Sequence, residues 1–397
     1  MRQVFLDTET TGLKVAEGVA RWELRILDST NKAVRSVSGR SRAPAEFAWD
    51  GLDNQGRRAP DGSYRAELVL DYQKGDHHEV RTGAFLVDTV PPTVDVAAEF
   101  SLFSPDADGE KDELPVRQSS SAEELWEGQF LNARGQVVRG YFWKGQAQAF
   151  RWDGKDENGN KIPDGAYTYR IRSTDAAGNS VSRELKGLAI DTRPTQVFVT
   201  VSADGFSPNG DGLADGIELR PLVSLSEGVQ SWTLEMAHAQ AGVQRSFTGA
   251  APVPAQIVWD GRKDGAAGPA PEGAYQAVLR VSYQKGNKPV AQSTSFRLDV
   301  SAPVVDMKVA PQPFSPDNDG VDDELSITVK VQEAGAVADW RLEILDPVGN
   351  PFWSFAGRGT PSERILWDGL SGTGELVQSA EDYAVRFTIR DRLGNQK

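Results

Sequence analysis

One tripeptide recurs along the chain at nearly constant spacing, and it constrains the fold more than any other feature of the sequence. Trp-Asp-Gly occurs four times, beginning at Trp49, Trp152, Trp259 and Trp367. The intervals are 103, 107 and 108 residues, so four units of about 99 residues fill the 397-residue chain. A period of this length exceeds the ~20–50 residues of solenoid repeats and fits a whole domain. The sequence therefore predicts four copies of one domain.

Two further aromatic residues recur at a nearly constant distance in sequence from this tripeptide. A tyrosine follows each of these tryptophans by 15 or 16 residues, at Tyr64, Tyr167, Tyr275 and Tyr383. A second tryptophan precedes each by 26 or 27 residues, at Trp22, Trp126, Trp232 and Trp340. In three copies a Pro-acid-Gly turn stands just before the tyrosine, beginning at Pro60, Pro163 and Pro271. Aromatic residues and tight turns at fixed positions predict a shared core in all four copies.

The boundaries between copies are marked by proline. Phe-Ser-Pro opens the second, third and fourth copies, at Phe103, Phe206 and Phe314. Just before it, proline-containing segments join the copies, and proline holds itself and the preceding residue in extended geometry. We therefore predict stiff linkers and four domains, at residues 1–90, 91–192, 193–300 and 301–397. Compared with the other copies, we expect the first domain to lack its first strand and the fourth to lack its last.

The local pattern within each copy is that of β-strands. Residues 22–27 and 340–345 alternate apolar with polar side chains, and turn signals such as residues 156–159 recur at strand-length intervals. Nothing longer than a turn or two has a helical pattern. Copies of about 100 residues with some seven short strands predict an all-β fold, a tandem array of four immunoglobulin-like antiparallel β-sandwiches. A barrel of similar size is also compatible with the periodicity.

Composition excludes several classes of function. The 57 acidic residues outnumber the 43 basic ones, for a net charge of −14, and no cluster of basic residues is present. This argues against nucleic acid as a partner, because phosphate contacts need clustered lysine and arginine. The absence of cysteine excludes disulfides, zinc–thiolate sites and thiol nucleophiles. No apolar run reaches the ~18 residues of a membrane span, so we do not expect this chain to cross one.

The ordered series of motifs carries a family resemblance. Trp-Asp-Gly, an Asp-rich turn, Pro-Asp-Gly-x-Tyr and a closing Asp-x-x-Gly-Asn, at residues 175–179 and 391–395, resemble the immunoglobulin-like domain of the bacterial flagellar hook-capping protein. The string Phe-Ser-Pro-Asn-Gly-Asp-Gly at residues 206–212 is similar to the start of modules in cell-surface and gliding-associated proteins. The resemblance implies an Ig-like module. It leaves the biology open, because such modules serve as spacers, cap components and sorting elements.

The loop after each Phe-Ser-Pro is the strongest candidate for a metal site. Oxygen-bearing side chains alternate around a glycine in all three loops: Asp106, Asp108 and Asp112; Asn209, Asp211 and Asp215; Asp317, Asp319 and Asp323. A hard cation such as Ca²⁺ takes six to eight oxygen ligands from a loop that curls around it. In the alternative interpretation these residues only form Asx turns in a surface loop. Like charges held this closely repel one another without a cation, which favours calcium as a cofactor.

Two other sets of residues have a chemical and a structural interpretation. The Trp-Asp-Gly motifs resemble sugar-stacking platforms, but a core tryptophan followed by an Asp-Gly turn explains them better. No pair of carboxylates is singled out for glycoside hydrolysis. His77 and His78 lie in a predicted hairpin tip, and the matching tip of the third copy has no histidine, so we do not predict a metal there.

The first 13 residues carry a second, shorter resemblance. Met-Arg-Gln-Val-Phe-Leu-Asp-Thr-Glu-Thr-Thr-Gly-Leu is similar to the start of the proofreading exonuclease subunit of bacterial DNA polymerase III. In that family the acids matching Asp7 and Glu9 hold two catalytic metal ions. The family's later His-x4-Asp element does not follow any of the three histidines here. Two acids without their partners do not make a two-metal site, so 3′–5′ exonuclease activity stays a remote alternative and we predict no enzyme.

The function that fits this pattern is a non-enzymatic structural spacer of the bacterial envelope or cell surface. We expect a periplasmic, outer-membrane-associated or extracellular location, with the export signal outside this chain, and domain junctions stiffened by calcium. The alternative is a binding or adhesion protein that grips a flagellar, protein or glycan partner through its loops. Trp143 and Trp353 lie outside the repeated pattern and are its candidate contact residues. Unpaired strands at the two ends would allow a protein partner or self-association by strand addition.

Overall fold

A computed structural model describes residues 4–5, 18–44, 46–265, 268–333, 335–378 and 381–397. All regular elements in these ranges are β-strands. The chain divides into two compact units, Met1–Thr192 and Arg193–Lys397, and each is described by itself. We number the repeats 1 to 4 by their Trp-Asp-Gly motifs, so that repeats 1 and 2 lie in the first unit and repeats 3 and 4 in the second.

Repeat 1 is built on one antiparallel sheet. Its strands are β1 (Val4–Phe5), β2 (Val19–Asp28), β3 (Ala33–Arg40), β4 (Ala48–Trp49), β5 (Gly62–Tyr72), β6 (His77–Arg81) and β7 (Phe85–Val87). The sheet has the order β3-β2-β5-β6, and β7 pairs with the start of β5. Strands β1 and β4 form a separate antiparallel pair.

Repeat 2 contains two facing sheets. Its strands are β8 (Val94–Ala98), β9 (Leu102–Phe103), β10 (Leu114–Ser120), β11 (Glu123–Asn132), β12 (Val137–Gly145), β13 (Phe150–Trp152), β14 (Gly165–Thr174) and β15 (Ser180–Ile190). One sheet has the order β13-β10-β8 and the other β12-β11-β14-β15-β9. All pairs are antiparallel except β15 with β9, which is parallel.

Repeat 3 repeats this arrangement in the second unit. Its strands are β16 (Val197–Val201), β17 (Gly205–Phe206), β18 (Ile217–Val223), β19 (Val229–His238), β20 (Gly242–Gly249), β21 (Ile257–Trp259), β22 (Gly273–Tyr283), β23 (Val290–Gln292) and β24 (Phe296–Leu298). The sheets have the orders β16-β18-β21 and β17-β24-β22-β19-β20, with β23 also paired to β22. Again the strand that carries the Phe-Ser-Pro phenylalanine, β17, runs parallel to the closing strand β24.

Repeat 4 has two three-stranded sheets in its described part. Its strands are β25 (Val304–Ala310), β26 (Leu325–Gln332), β27 (Val337–Leu345), β28 (Pro351–Arg358), β29 (Arg364–Trp367) and β30 (Ala384–Asp391). The sheet orders are β25-β26-β29 and β28-β27-β30. Among the described residues, β30 pairs with one strand, β27. That the first domain lacks its first strand and the fourth its last stays a prediction.

Each repeat encloses its own hydrophobic core, and the Trp-Asp-Gly tryptophan lies within it. These four side chains are 0–4% exposed. In repeat 2 the Trp152 ring stacks on Phe130 with the centroids 3.6 Å apart, and Tyr167 meets its edge. A buried indole has no face available to a sugar, so the core interpretation of this motif replaces the sugar-stacking one.

The Asp-Gly that follows each of these tryptophans forms the predicted turn. In repeat 3, Trp259 Nε1 donates to the carbonyl of Arg262 at 2.8 Å, and Asp260 accepts the Arg262 amide at 3.2 Å. Gly261 has a φ of +74°, and a Cβ added there would lie 2.5 Å from the ring of Pro208. Only glycine satisfies both demands. Because Pro208 belongs to Phe-Ser-Pro, two sequence markers separated by about 50 residues are in direct contact.

The repeated tyrosine closes the sandwich with a hydrogen bond to the preceding turn. The hydroxyls of Tyr64, Tyr167 and Tyr275 each donate, at 2.6 Å, to the carbonyl of the proline four residues earlier. Burial raises the pKa of Tyr275 to about 12, which keeps this donor protonated. A tyrosine that bonds back to the chain just upstream is a mark of immunoglobulin-like sandwiches. Together with the sheet orders, this corner in three of the four repeats identifies the chain as a tandem array of immunoglobulin-like antiparallel β-sandwiches, as predicted.

Candidate functional site

The acidic loops bring their carboxylates together in repeats 2 and 4. Oxygens of Asp106, Asp108 and Asp112 all lie within 4.8 Å of one another, and the same holds for Asp317, Asp319 and Asp323. In both loops the first two side chains are exposed and the third is partly buried. The spacing is therefore suitable for a single hard cation.

The loops also satisfy their own carboxylates in part. The last aspartate of the repeat 2 loop, Asp112, accepts the amides of Ala107 at 2.6 Å and Gly109 at 2.9 Å. Asp323 receives the equivalent pair of bonds in repeat 4. The second aspartate forms an Asx turn in each loop. The loop shape is thus encoded by backbone hydrogen bonds, and both interpretations of the sequence pattern, turn and cation site, fit the geometry.

The loop of repeat 3 has a different role because asparagine replaces the first acid. Asn209 Nδ2 donates to Asp211 Oδ2 at 3.2 Å and to Asn395 Oδ1 at 3.1 Å. Ser207 Oγ donates to the same Asn395 oxygen at 2.6 Å. Asn395 belongs to repeat 4, so this loop contacts the next repeat directly. The carboxamide of Asn209 supplies hydrogen-bond donors where the other two loops have a carboxylate.

Asn395 is the centre of the contact between repeats 3 and 4. Its side chain is buried, and its Nδ2 donates to the carbonyl of Asp299 at 3.0 Å and to Asp391 Oδ2 at 2.9 Å. Both N–H groups and both acceptor positions of the carboxamide are therefore used. Asp299 ends repeat 3 just after β24, so the turn at residues 391–395 is attached to the backbone of the linker.

The first unit repeats this contact between repeats 1 and 2. Asn179 Nδ2 donates to the carbonyl of Asp88 at 3.0 Å and to Asp175 Oδ2 at 2.9 Å. Burial by itself would raise the pKa of Asp175, but the hydrogen bonds from Asn179 and the turn amides outweigh it and lower that pKa. Asp88 follows β7 as Asp299 follows β24. We call this five-residue element, Asp-x-x-Gly-Asn at residues 175–179 and 391–395, the Asn turn.

A second contact fixes the other side of each linker. The acid of the Pro-acid-Gly turn accepts hydrogen bonds from the residue 28 or 29 positions later, just beyond the closing strand. Asp61 accepts the amide and hydroxyl of Thr89 at 3.1 and 3.0 Å, and Asp164 accepts those of Thr192 at 3.0 and 2.8 Å. In repeat 3, Glu272 accepts from Val300 and Ser301. One acidic side chain therefore orients the start of each linker.

These junction residues were not predicted from the sequence. The sequence marks the Asn turn only as part of the family resemblance, because its partners lie 91 and 96 residues away along the chain. The available signal was its recurrence with glycine and asparagine at fixed positions. The sequence pattern places the acid of Pro-acid-Gly in a turn, and its constant distance from the linker is the signal for its second role.

The other candidate residues have structural roles in the described part of the chain. Trp143 and Trp353 are half-buried, stacked on Tyr141 and Phe355 respectively. His77 Nδ1 lies 2.7 Å from Asp71 and its Nε2 lies 3.3 Å from Glu79, so its two ring nitrogens face carboxylates. Those contacts, Asp71 first, raise the pKa of His77. Asp7 and Glu9 lie outside the described residues.

Comparisons with known proteins agree with the fold. The sequence model of the FlgD Ig-like domain matches residues 1–74 and 103–177, in repeats 1 and 2. The resemblance to the hook-capping Ig-like domain is thus confirmed for these two segments, the first of which includes the exonuclease-like residues 1–13. The comparison with curated proteins gives no match.

Solved structures of tandem repeats also align with the chain. One is a tetra-tandem repeat in the extending region of a large adhesion protein, with 16% identity, 96% of this chain and 90% of that chain covered, and a TM-score of 0.33. Another is a Ca²⁺-stabilised adhesin that helps an Antarctic bacterium bind ice, with 14% identity, 96% and 88% coverage and a TM-score of 0.33. The fibronectin(III)-like modules of Clostridium thermocellum CbhA align at 11% identity, 52% and 95% coverage and a TM-score of 0.28. Because these TM-scores are below 0.5, the fold assignment rests on strand order and register.

No helix in the described ranges has the length and apolar character needed to cross a bilayer.

Proposed function

We propose that this chain is a non-enzymatic structural spacer of a bacterial envelope or cell-surface protein, in which the junction inside each compact unit holds its two Ig-like modules at a set angle. The observation that carries this proposal is the Asn turn. In each unit the later repeat attaches one carboxamide to the backbone of the linker that precedes it. A flexible string of domains has no need of a buried, fully hydrogen-bonded side chain such as Asn395 at its junction.

The linker is held from both sides. The acid of Pro-acid-Gly fixes its beginning from the earlier repeat, and the Asn turn fixes it from the later one. In the second unit the contact extends further, because Ser207 and Asn209 of repeat 3 both donate to Asn395. Inter-domain contacts are mobile unless they are large or well bonded. Several buried hydrogen bonds at one short linker therefore favour a defined angle over free rotation.

Calcium is the finer part of this proposal. The three-carboxylate loops of repeats 2 and 4 have the donor set and spacing for a Ca²⁺ ion, whereas the loop of repeat 3 already has an amide donor between its oxygens. We therefore assign calcium binding to the loops of repeats 2 and 4, and hydrogen bonding to the next repeat to the loop of repeat 3. Bound Ca²⁺ would draw together the oxygens that Asx turns already hold near one another.

The adhesion alternative is favoured by one observation, a cavity on the outer sheet of repeat 4, whose chemistry is treated in the next subsection. The aromatic candidates Trp143 and Trp353 give it less support, because both rings are engaged with neighbouring aromatic residues. A surface or extracellular location fits both functions.

Small-angle scattering of the intact chain, compared with the N179A/N395A variant, tests the spacer proposal. If the two Asn turns fix the junctions inside the units, removal of both carboxamides should make the chain more flexible and change its scattering profile. Identical profiles for the two proteins would contradict the proposal. Incubation with single-stranded DNA and Mn²⁺ provides the check on enzymatic activity: no shortening of the DNA is expected, and degradation that D7N/E9Q abolishes would restore the exonuclease alternative.

A further inference from the structure

A cavity opens on the outer surface of repeat 4. It has a volume of about 510 Å³ and lies across strands β27, β28 and β30. Its polar lining comes from Asp339, Arg341, Arg358, Thr388, Arg390 and Gln396. Protein pockets that hold small ligands have volumes of ~300–1,000 Å³, so this cavity is large enough for one.

The cavity exists because a small residue of the edge strand stands opposite Arg341 on the outer face of the sheet. Ala356 pairs in register with Arg341 and adds only a methyl group there. The next residue, Gly357, faces the core instead, where an added Cβ would approach the indole of Trp340 to 2.8 Å. The long side chains of Arg341, Arg358 and Arg390 surround this depression. The walls of the cavity are therefore arginine and its floor is short side chains and backbone.

The charges of the lining do not cancel. Asp339 is the one carboxylate among the lining residues, and it pairs with Arg390 at 2.6 Å. Asp211, from the acidic loop of repeat 3, also acts on Arg390. Arg341 reaches Glu343 only at 3.6 Å, and Glu343 makes a closer pair with Arg386 at 2.9 Å. Arg390 is thus neutralised, and Arg341 is neutralised in part.

Arg358 is the lining arginine whose charge is not neutralised by a carboxylate among the described residues. It is exposed, and within the described part of the chain it forms no ion pair. Its neighbour in the pairing register is Asp339, which already bonds Arg390 on the other side. A guanidinium group with free donors beside a concave surface suits the planar oxygens of a carboxylate, sulfate or phosphate. On a chain with a net charge of −14, a locally positive cavity is also selective for such a group.

We propose that this cavity binds an oxyanion group, with Arg358 as the principal ligand and Arg341 as the second. The Gln396 carboxamide, which also lines the cavity, provides a neutral donor. The group reaches the cavity either as a free small anion or as part of an acidic polymer, since the recognition chemistry is the same. This site goes beyond the spacer function, because none of the Asn turn residues 391–395 contributes to its lining.

Titration of the intact protein tests the proposal. Sulfate, phosphate and acetate are added at constant ionic strength while amide chemical shifts and heats of binding are followed, and a sulfated dextran is tested in parallel. We expect saturable shifts at the amides of residues 356–358 and 388–390. R358Q is expected to weaken binding at least tenfold, and R341Q is expected to weaken it less. Far-UV circular dichroism and melting temperature check that each variant is folded.

Repeat 1 provides the matched control. Arg40 of β3 corresponds to Arg358 of β28, because each is the last residue of the edge strand that follows the first tryptophan of its repeat. Arg40 pairs in register with Arg21, and its side chain is exposed like that of Arg358. R40Q removes the same charge from another place on the chain. Binding of the free anions that depends on Arg358 supports the site. Binding of the dextran alone that depends on Arg358 supports the site with an acidic polymer as the source. Equal losses in R40Q and R358Q, or no saturable binding of any probe, would overturn it.

Discussion

Asn395 Nδ2 donates a hydrogen bond to the backbone carbonyl of Asp299 at 3.0 Å and so joins repeat 4 to the end of repeat 3. Asn179 makes the same bond to Asp88 in the other unit, also at 3.0 Å. The two bonds connect residues 96 and 91 positions apart in sequence. Their recurrence at matching places indicates that the junction geometry is built into the repeat rather than arising by chance contact.

Removing either carboxamide is expected to destabilise its junction. N395A leaves the buried Ser207 hydroxyl and the Asp299 carbonyl without their partner, and an unsatisfied buried polar group costs about 1–3 kcal/mol. N179A should cost less, because among the described residues Asn179 has no counterpart to the bonds that Ser207 and Asn209 donate to Asn395. Urea unfolding measures both changes. N158A, which removes an exposed asparagine side chain in repeat 2, is the control and should change stability by less than about 0.5 kcal/mol.

The tyrosine hydroxyl should matter in three repeats and less in the fourth. Y167F removes the 2.6 Å bond to the Pro163 carbonyl, and we expect a loss of about 0.5–1.5 kcal/mol. In repeat 4 the Tyr383 hydroxyl instead accepts a longer bond, 3.2 Å, from the Gln378 amide. Y383F is therefore expected to cost less than Y167F. Equal losses in thermal unfolding would show that the corner bond has no special role.

Acid should weaken the tight turns that aspartate caps. The backbone amide of Asn160 is the main cause that lowers the pKa of Asp156, and the amide of Asn350 has the same effect on Asp346. Because these pKa values are depressed in the folded state, their stabilising contribution is complete above the ordinary value of 3.8 and is lost as pH falls through the folded pKa. Carboxyl ¹³C titration should place the midpoint of Asp156 below 3.8. A midpoint at or above that value would refute the assignment.

Calcium should bind at two loops. Calorimetric titration is expected to give two sites per chain, and chelation should lower the melting temperature, because a ligand that binds only the folded state stabilises it. D319N is expected to remove the site in repeat 4 and leave one. D211N, in the loop that already has an asparagine donor, is the matched control and should leave both sites. A melting curve unchanged by chelator would contradict the prediction that these loops bind calcium.

Local features of the fold were predictable, and contacts between repeats were not. The turn at Trp259 and Asp260 depends on residues three positions apart, so its motif identifies it directly. The acidic loops were found for the same reason, since their ligand candidates lie within ten residues of one another. Asn395 gives no such local signal, because Ser207, which bonds it, is 188 residues away. Only the three-dimensional packing of two repeats brings these groups together.

The angle between repeats 3 and 4 is the most direct test of the central claim that the junctions are fixed. The chain has no cysteine, so T248C/S354C places one spin label on each repeat without background labelling. Pulsed electron paramagnetic resonance on this pair should give one narrow distance distribution, and N395A should broaden it. A broad distribution before the substitution, or one that N395A leaves unchanged, would contradict the account.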